Sequence, residues 1–302
     1  MLVLAPGALG DLMCLMPALE AIARRHPGAS IELMSRFELA RLVAGRTVVA
    51  RAHSIDAREL GALFSDETLV DPGARLFFAD FDRIYSFFAW GDQRFRARLA
   101  SATDADVSFH PFLPDDDAHI SVAYLRAIDA TASPTDSRLE PTPDDLAAAA
   151  RALDQSNIDR SHLVVIFPGS GNPAKNWPAE KFAALASALS ERASVAVILG
   201  PAESSLESIF RDRGVAALKD LDLPTVAAIA RLAAAFVGND SGVSHLAAAV
   251  GTPGLAIFGP TDPARWRPLG GRIDILRRNP IDSIEVEEVA VALSKFVAWL
   301  QK

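Results

Sequence analysis

The groups in this sequence able to do chemistry together are two carboxylates, one lysine and the backbone of two turns. Gly238-Asn239-Asp240-Ser241-Gly242-Val243-Ser244-His245 follows an apolar run at 233–237. An Ala-rich stretch at helical period comes next, closed by Gly251, Thr252 and Pro253, and a second apolar run spans 255–258. The pattern predicts strand, tight turn, helix, strand. The amides of Ser241, Gly242 and Val243 then open a helix, whose unpaired N–H groups and positive dipole end suit a phosphate. Ligands of open α/β sheets sit at the carboxyl ends of the strands, where this turn falls. The plainer alternative is that Asp240 or Ser241 only caps the helix.

A second turn of the same kind follows the β-branched run at 163–167. It reads Pro168-Gly169-Ser170-Gly171-Asn172-Pro173-Ala174-Lys175-Asn176-Trp177-Pro178, with Pro178 suited to the first position of the next helix. A third follows the short strand Leu2-Val3-Leu4 and reads Ala5-Pro6-Gly7-Ala8-Leu9-Gly10-Asp11. Only Gly7 and Gly10 are present, so the G-x-G-x-x-G dinucleotide fingerprint is absent. Asp11 reads either as a helix N-cap or as a carboxylate at the rim of a cleft between domains.

The elements that must position these turns alternate between strand and helix. In the first half, a helix is expected at 11–25 and a strand at 31–33. A helix at 38–45, a strand-like run at 47–52, a strand at 83–88 and a helix at 92–102 follow. A weak strand at 107–109 and a helix at 118–130 end the half. Residues 131–143, with three prolines, read as a linker or long loop. An Ala-rich helix at 144–156 leads into a second set. That set has a strand at 163–167, a helix from 178 to about 189, a strand at 195–199 and a helix at 224–232, then the stretch described first. The tail at 284–300 has the charge order of a capped helix. The alternation predicts two doubly wound α/β domains, 1–155 and 156–302.

The chain has 302 residues, half of them apolar, enough for two cores. Residues 1–150 hold 22 acidic and 14 basic side chains, and residues 151–302 hold 16 of each. All the excess acid thus lies in the first half, and no lysine precedes Lys175. This balance argues against a nucleic-acid binder. The single cysteine, Cys14, cannot form an internal disulfide and reads as a small buried residue in a reducing compartment. Residues 1–19 lack a basic start, and Asp11 interrupts the apolar run, unlike a signal peptide. No apolar stretch reaches the roughly 18–20 residues of a membrane span, and the chain reads as soluble and cytoplasmic. Asp-x-Asp strings occur at Asp80/Asp82, Asp104/Asp106, Asp115/Asp117 and Asp220/Asp222. Four in one acidic chain read as solvated surface rather than a metal site, and the six histidines lack ligand spacing. Ser241 does not sit in G-x-S-x-G, so no hydrolase elbow is expected.

Three segments together resemble glycosyltransferase family 9, the heptosyltransferases. They are residues 2–19 with Gly10-Asp11 and Pro17-Ala18-Leu19, residues 167–182 with Lys175-Asn176-Trp177-Pro178 and Lys181-Phe182, and residues 238–263 with Asp240-Ser241-Gly242, His245-Leu246-Ala247-Ala248-Ala249 and Phe258-Gly259-Pro260-Thr261-Asp262-Pro263. The resemblance implies a GT-B fold of two Rossmann-like domains, with the acceptor on the N-terminal domain, Gly7 and Gly10 on its side. The nucleotide sugar, typically ADP-heptose, would bind the C-terminal domain, and the last helix would cross back to the N-terminal one. It implies inverting transfer without a bound metal or other cofactor. The acceptor would be a glycan, a glycolipid or another hydroxyl compound, and a lipopolysaccharide acceptor would bring peripheral contact with the inner membrane face. The chain departs from the family in being short and in carrying Arg277-Arg278-Asn279-Pro280 where many members have a longer Cys-rich segment. The acidic first half suits a phosphorylated acceptor poorly, although Arg94, Arg96 and Arg98, or Arg41, Arg46 and Arg51, offer basic groups.

On this reading Asp11 is the base on the acceptor hydroxyl and Lys175 the charge that steadies the leaving diphosphate. Ser241 and Gly242 supply amides, Asp240 accepts from sugar hydroxyls, and Ser170 and Gly171 belong to the donor loop. His245 is either a ligand contact or a packed structural residue. Two competing readings are a nucleotide-sugar epimerase of the same architecture and a binding protein that keeps the donor pocket without catalysis. The presence of Asp11, Lys175 and Asp240 argues against the second.

Overall fold

The structure, a computed structural model, describes residues 1–65, 69–135 and 137–297. The chain divides into two compact units, Met1–Ser137 and Arg138–Lys302. In the first, β1 (Leu2–Leu4) leads through α1 (Leu9–Arg25) to β2 (Ile31–Ser35), α2 (Phe37–Val43) and β3 (Val49–Ser54). Then come α3 (Arg58–Gly61), α4 (Pro72–Ala79), β4 (Arg83–Ser86), α5 (Gln93–Ala102), β5 (Asp106–Phe109) and α6 (Ile120–Ala127). The five strands are parallel in the order β3-β2-β1-β4-β5.

The second unit opens with α7 (Pro143–Gln155), β6 (Leu163–Phe167), α8 (Ala179–Ser190) and β7 (Ser194–Ile198). It continues through α9 (Glu207–Arg211), β8 (Ala217–Leu218), α10 (Leu223–Leu232), β9 (Ala235–Asn239) and α11 (Gly242–Ala249). It ends with β10 (Gly254–Phe258), α12 (Pro263–Trp266), β11 (Ile273–Arg277) and α13 (Val286–Ser294). Its six parallel strands run β11-β10-β9-β6-β7-β8.

Both sheets are therefore doubly wound. The strand order reverses beside the first strand of each unit, between β1 and β4 and between β6 and β9. Such a reversal opens a crevice at the carboxyl ends, because the two flanking connections leave on opposite faces. Of the strands at these reversals, β1, β6 and β9 are buried along their whole length, as their largely apolar runs demand. The second core gathers Val164, Ile166, Trp177, Phe182, Val197, Val237 and Ile257 with Val289 and Leu293 of α13.

Several boundaries differ from the sequence reading. Helix α1 begins at Leu9, two residues before Asp11. Strand β3 lies at Val49–Ser54 rather than 47–52, paired through a register shift at Ile31/Glu32. Pro178 is the N-cap of α8, not its first residue. Strands β8 and β11 and helices α3, α4, α9 and α12 carried too little periodicity to be read. Helix α7, expected with the first domain, packs against α10 and belongs with the second unit. Within 131–143, Leu139 is fully buried and its amide donates to Ala249 O at 3.1 Å. Helix α13 packs on α8, β10 and β11, and the end of the tail expected at 284–300 lies outside the described residues.

Candidate functional site

The β9–α11 turn is built by backbone crowding. A Cβ on Gly238 would meet Ser244 Oγ at 2.7 Å and Phe167 Cβ at 3.0 Å, so only glycine lets β9 run this close to β6. Ser241 is the N-cap of α11, yet its side chain caps nothing. Its hydroxyl instead lies 3.4 Å from Ser244 Oγ, which donates to Asn239 O at 2.7 Å. Among the described residues neither the Asp240 nor the Ser241 side chain accepts from a helix amide, although Ser241 O accepts the Ser244 N–H at 3.1 Å, so side-chain capping does not account for these residues. The first turn of α11 keeps its donors at the carboxyl end of β9. His245 is buried one turn further in.

The loop after β6 is tied to the same point. Trp177 is fully buried, its indole N–H donating to Ile284 O at 3.0 Å, and its ring packs edge-on against Phe182. Its backbone N–H donates to Asn239 Oδ1 at 2.9 Å. Asn239 Nδ2 donates to Pro168 O at 2.8 Å and to Asn176 Oδ1 at 3.4 Å. Ser170 Oγ lies 2.6 Å from Asn176 Oδ1 and 2.8 Å from Asn172 O. Asn239, with no exposed surface, thus clamps both ends of the loop to the strand. The sequence reading missed it. An Asn before the Asp of a strand-to-helix turn was the available signal, because a buried Asn must find partners for its amide.

The clamp sets Lys175 Nζ 2.8 Å from Asp240 Oδ2. Asp240 is only 5% exposed, and Oδ2 has no hydrogen-bond partner of good angular geometry among the described residues. Its compensation is the ammonium charge, which keeps about a third of its own surface in water. Ser170, Lys175, Asp240, Ser241 and Gly242 are therefore brought together at the β6/β9 reversal, with exposed Gly171 in the same loop. A second missed residue, Glu203, stands against the neighbouring strand ends. A Cβ on Gly169 would collide with its carboxylate, and one on Gly200 would meet its Oε2 at 2.7 Å.

In the first unit, Gly7 adopts φ +108°, and a Cβ there would collide with the Phe112 ring and reach Asp11 Oδ2 at 2.9 Å. Asp11 is half-buried and is the third residue of α1, not its cap. Its Oδ2 accepts the Ala8 N–H at 2.8 Å. Its Oδ1 has no partner among the described residues, and the side chain makes no ion pair there. Gly10 lies in the first turn of α1.

Other charged groups have structural employment. Asp106 pairs with Arg83, Asp116 with Arg126, and Asp222 caps α10 through the Thr225 amide. Among the described residues no group of three or more His, Cys, Asp or Glu is placed to hold a metal. Arg96 lies over the Phe109 ring, Arg94 and Arg98 donate to the carbonyls of Ser65 and Leu69, and Arg51 pairs with Glu32. No helix among those described is long and apolar enough to cross a membrane.

Comparison with known proteins bears on the family and the fold. The profile of the family described as glycosyltransferase family 9 (heptosyltransferase) matches residues 118–293. The lipopolysaccharide heptosyltransferase 3 of Escherichia coli K12 is 24% identical over 286 residues, covering 86% of this chain and 82% of its own. The crystal structure of a family 9 glycosyl transferase from Veillonella parvula superposes with a TM-score of 0.81 at 17% identity, covering 99% and 96% of the two chains. The E. coli heptosyltransferase WaaC, solved with ADP, gives a TM-score of 0.70 at 20% identity, covering 98% and 100%.

Proposed function

The chain belongs to glycosyltransferase family 9, the heptosyltransferases, and on that premise we propose that it moves a heptose from an ADP-sugar to a hydroxyl of a lipopolysaccharide-type glycan, with inversion. The protein is a glycosyltransferase of GT-B type, with two doubly wound units. The observation that carries the finer reading is the Lys175–Asp240 pair, held beside the first turn of α11 at the β6/β9 reversal.

The diphosphate lies against the Ser241 and Gly242 amides, and Lys175 turns from Asp240 to the departing phosphate oxygen. Asp240, released, accepts hydrogen bonds from heptose hydroxyls. Glu203, beside the glycines that end β6 and β7, accepts from the nucleoside ribose, the role an acidic residue takes in Rossmann domains. The acceptor hydroxyl attacks the anomeric carbon as its bond to the diphosphate breaks. ADP leaves and Asp11 Oδ1 takes the hydroxyl proton. Lys175 and the amides supply the charge that a cation supplies elsewhere, so no metal or other cofactor is needed. A relative of the same fold has been solved with ADP, in line with an ADP-linked donor.

The test is melting temperature against a panel of nucleotide sugars, followed by ADP release from the best ligand with a lipopolysaccharide core acceptor. A donor that binds the folded state at 100 times its Kd adds about 2.7 kcal/mol of apparent stability. ADP and ADP-heptose should raise the melting temperature more than UDP- or GDP-sugars. No shift with any ADP compound at millimolar concentration would refute the donor assignment.

A further inference from the structure

Seven large apolar side chains are exposed among the described residues, and three of them, Phe37, Trp90 and Leu113, follow directly on the carboxyl ends of β2, β4 and β5. Ligands of such a sheet sit at the carboxyl ends of its strands, so apolar groups exposed there are available to one. Phe112 touches the Gly7–Asp11 turn, and Trp90 lies on the connection that leaves β4, the strand beside β1. The Phe112 ring packs on Gly7, the residue whose missing Cβ also makes room for the Asp11 carboxylate. Trp90 is on the connection after β4, directly across the β1/β4 reversal from the Gly7–Asp11 turn. The two strands stay joined to their ends, with Phe87 N–H donating to Leu4 O at 2.8 Å. Ala89, just before Trp90, is held at φ +50°, a costly conformation for a residue with a Cβ. Asp92 closes the connection by capping α5 through the Phe95 amide. Trp90 is thereby presented to solvent at 49% exposure on a short, fixed loop.

Resting on the reading of Asp11 as base, we propose that Phe112 and Trp90 are acceptor-positioning residues, forming an aromatic bay that takes the C–H face of one pyranose ring of the acceptor and aims its hydroxyl at Asp11 Oδ1. A pyranose has an apolar face of axial C–H groups and a rim of hydroxyls. Aromatic walls beside one unengaged carboxylate oxygen complement both parts. Arg94, Arg96 and Arg98 of α5 engage backbone carbonyls or an aromatic ring, and the contact proposed for this sugar ring is stacking.

The experiment uses the full chain, ADP-heptose and a delipidated lipopolysaccharide core oligosaccharide ending in heptose. Phe112→Ala and Trp90→Ala should each raise the acceptor KM about 10-fold or more, leaving the donor KM and the slow acceptor-free hydrolysis of ADP-heptose unchanged. Phe112→Tyr and Trp90→Phe should restore most of the affinity. The oligosaccharide should also quench wild-type tryptophan fluorescence, and that quenching should vanish in Trp90→Phe. Unchanged acceptor KM in both alanine variants would overturn the proposal. So would a Trp90→Ala protein that transfers normally to the free oligosaccharide but no longer sediments with phosphatidylglycerol vesicles, since the patch would then be a membrane seat. Failure of the wild-type protein to bind or hydrolyse ADP-heptose would overturn the donor reading beneath it, an outcome separable from a loss confined to acceptor KM.

Discussion

Lys175 Nζ and Asp240 Oδ2 stand 2.8 Å apart, one partner buried and the other a third in water. The pair joins the loop after β6 to the turn after β9, and each member has a role in the proposed reaction. Structural and catalytic contributions can be separated. Lys175→Ala leaves a buried carboxylate without its counter-charge, which should cost about 1–3 kcal/mol of stability, water at the lysine side limiting the loss. Adding Asp240→Asn should return most of the melting temperature. It should not return transfer, which falls by about 2–4 kcal/mol of transition-state stabilisation in both variants. Equal recovery of stability and turnover in the double variant would reduce Lys175 to a structural residue.

Asp11→Asn separates the helix role from the chemical one. An amide oxygen still accepts the Ala8 N–H, so melting temperature and donor affinity should hold. Transfer should fall by about 100-fold or more, the scale of a lost general base. A variant that turns over normally would leave Asp11 with its helix contact alone.

Asn239 touches no substrate in this scheme, and its loss should still be felt at the site. Asn239→Ala strips partners from the Trp177 N–H and Pro168 O, both in a buried setting. Each orphaned group costs about 1–3 kcal/mol. Melting temperature should drop accordingly, and ADP affinity should drop with it as the loop that carries Lys175 loosens. Hydrogen exchange of the 168–178 amides should rise first. Unchanged exchange there would contradict the clamp.

Acidification should weaken the first unit through His110. Burial holds its pKa below the ordinary value of 6.5, with the C=O of Ala127, 2.7 Å from Nδ1, opposing the shift only partly. The unfolded chain then binds the extra proton more readily. The stabilisation is complete above about pH 6.5 and is lost as pH falls toward the lowered folded value. Melting temperature should decline over that window, and His110→Gln should flatten the decline. An equally steep curve in the variant would assign the loss to other groups.

Transfer should persist in excess chelator if Lys175 and the α11 amides carry the leaving-group charge. Activity abolished by chelation and restored by magnesium or manganese would return attention to the Asp-x-Asp strings.

The sequence legibility follows physical lines. Strands β1, β6, β9 and β10 read cleanly because burial on both faces forces unbroken apolar runs. Strands β8 and β11 flank the sheet, need no such run and left little signal. The turn at Asp240-Ser241-Gly242 and the loop bearing Lys175 were readable as separate chemistry. Their union was not, because it depends on the side-chain amide of Asn239, whose partners lie 62 and 71 positions away in the chain. Asp11 was readable as helix-starting, but its placement at the third helical residue, with one oxygen engaged and one not, depends on where α1 begins.

The packing of α7 on α10 bears on any attempt to dissect the protein. A fragment begun near residue 156 would strip α7 away and turn the side of α10 that it covers toward water, together with the pockets vacated by Ala149 and Leu153. Such a piece would be expected to aggregate or to need detergent. A fragment begun at or before Arg138 keeps Leu139 on the Ala249 carbonyl and α7 in place. It is the natural starting material for measuring ADP binding to the second unit on its own.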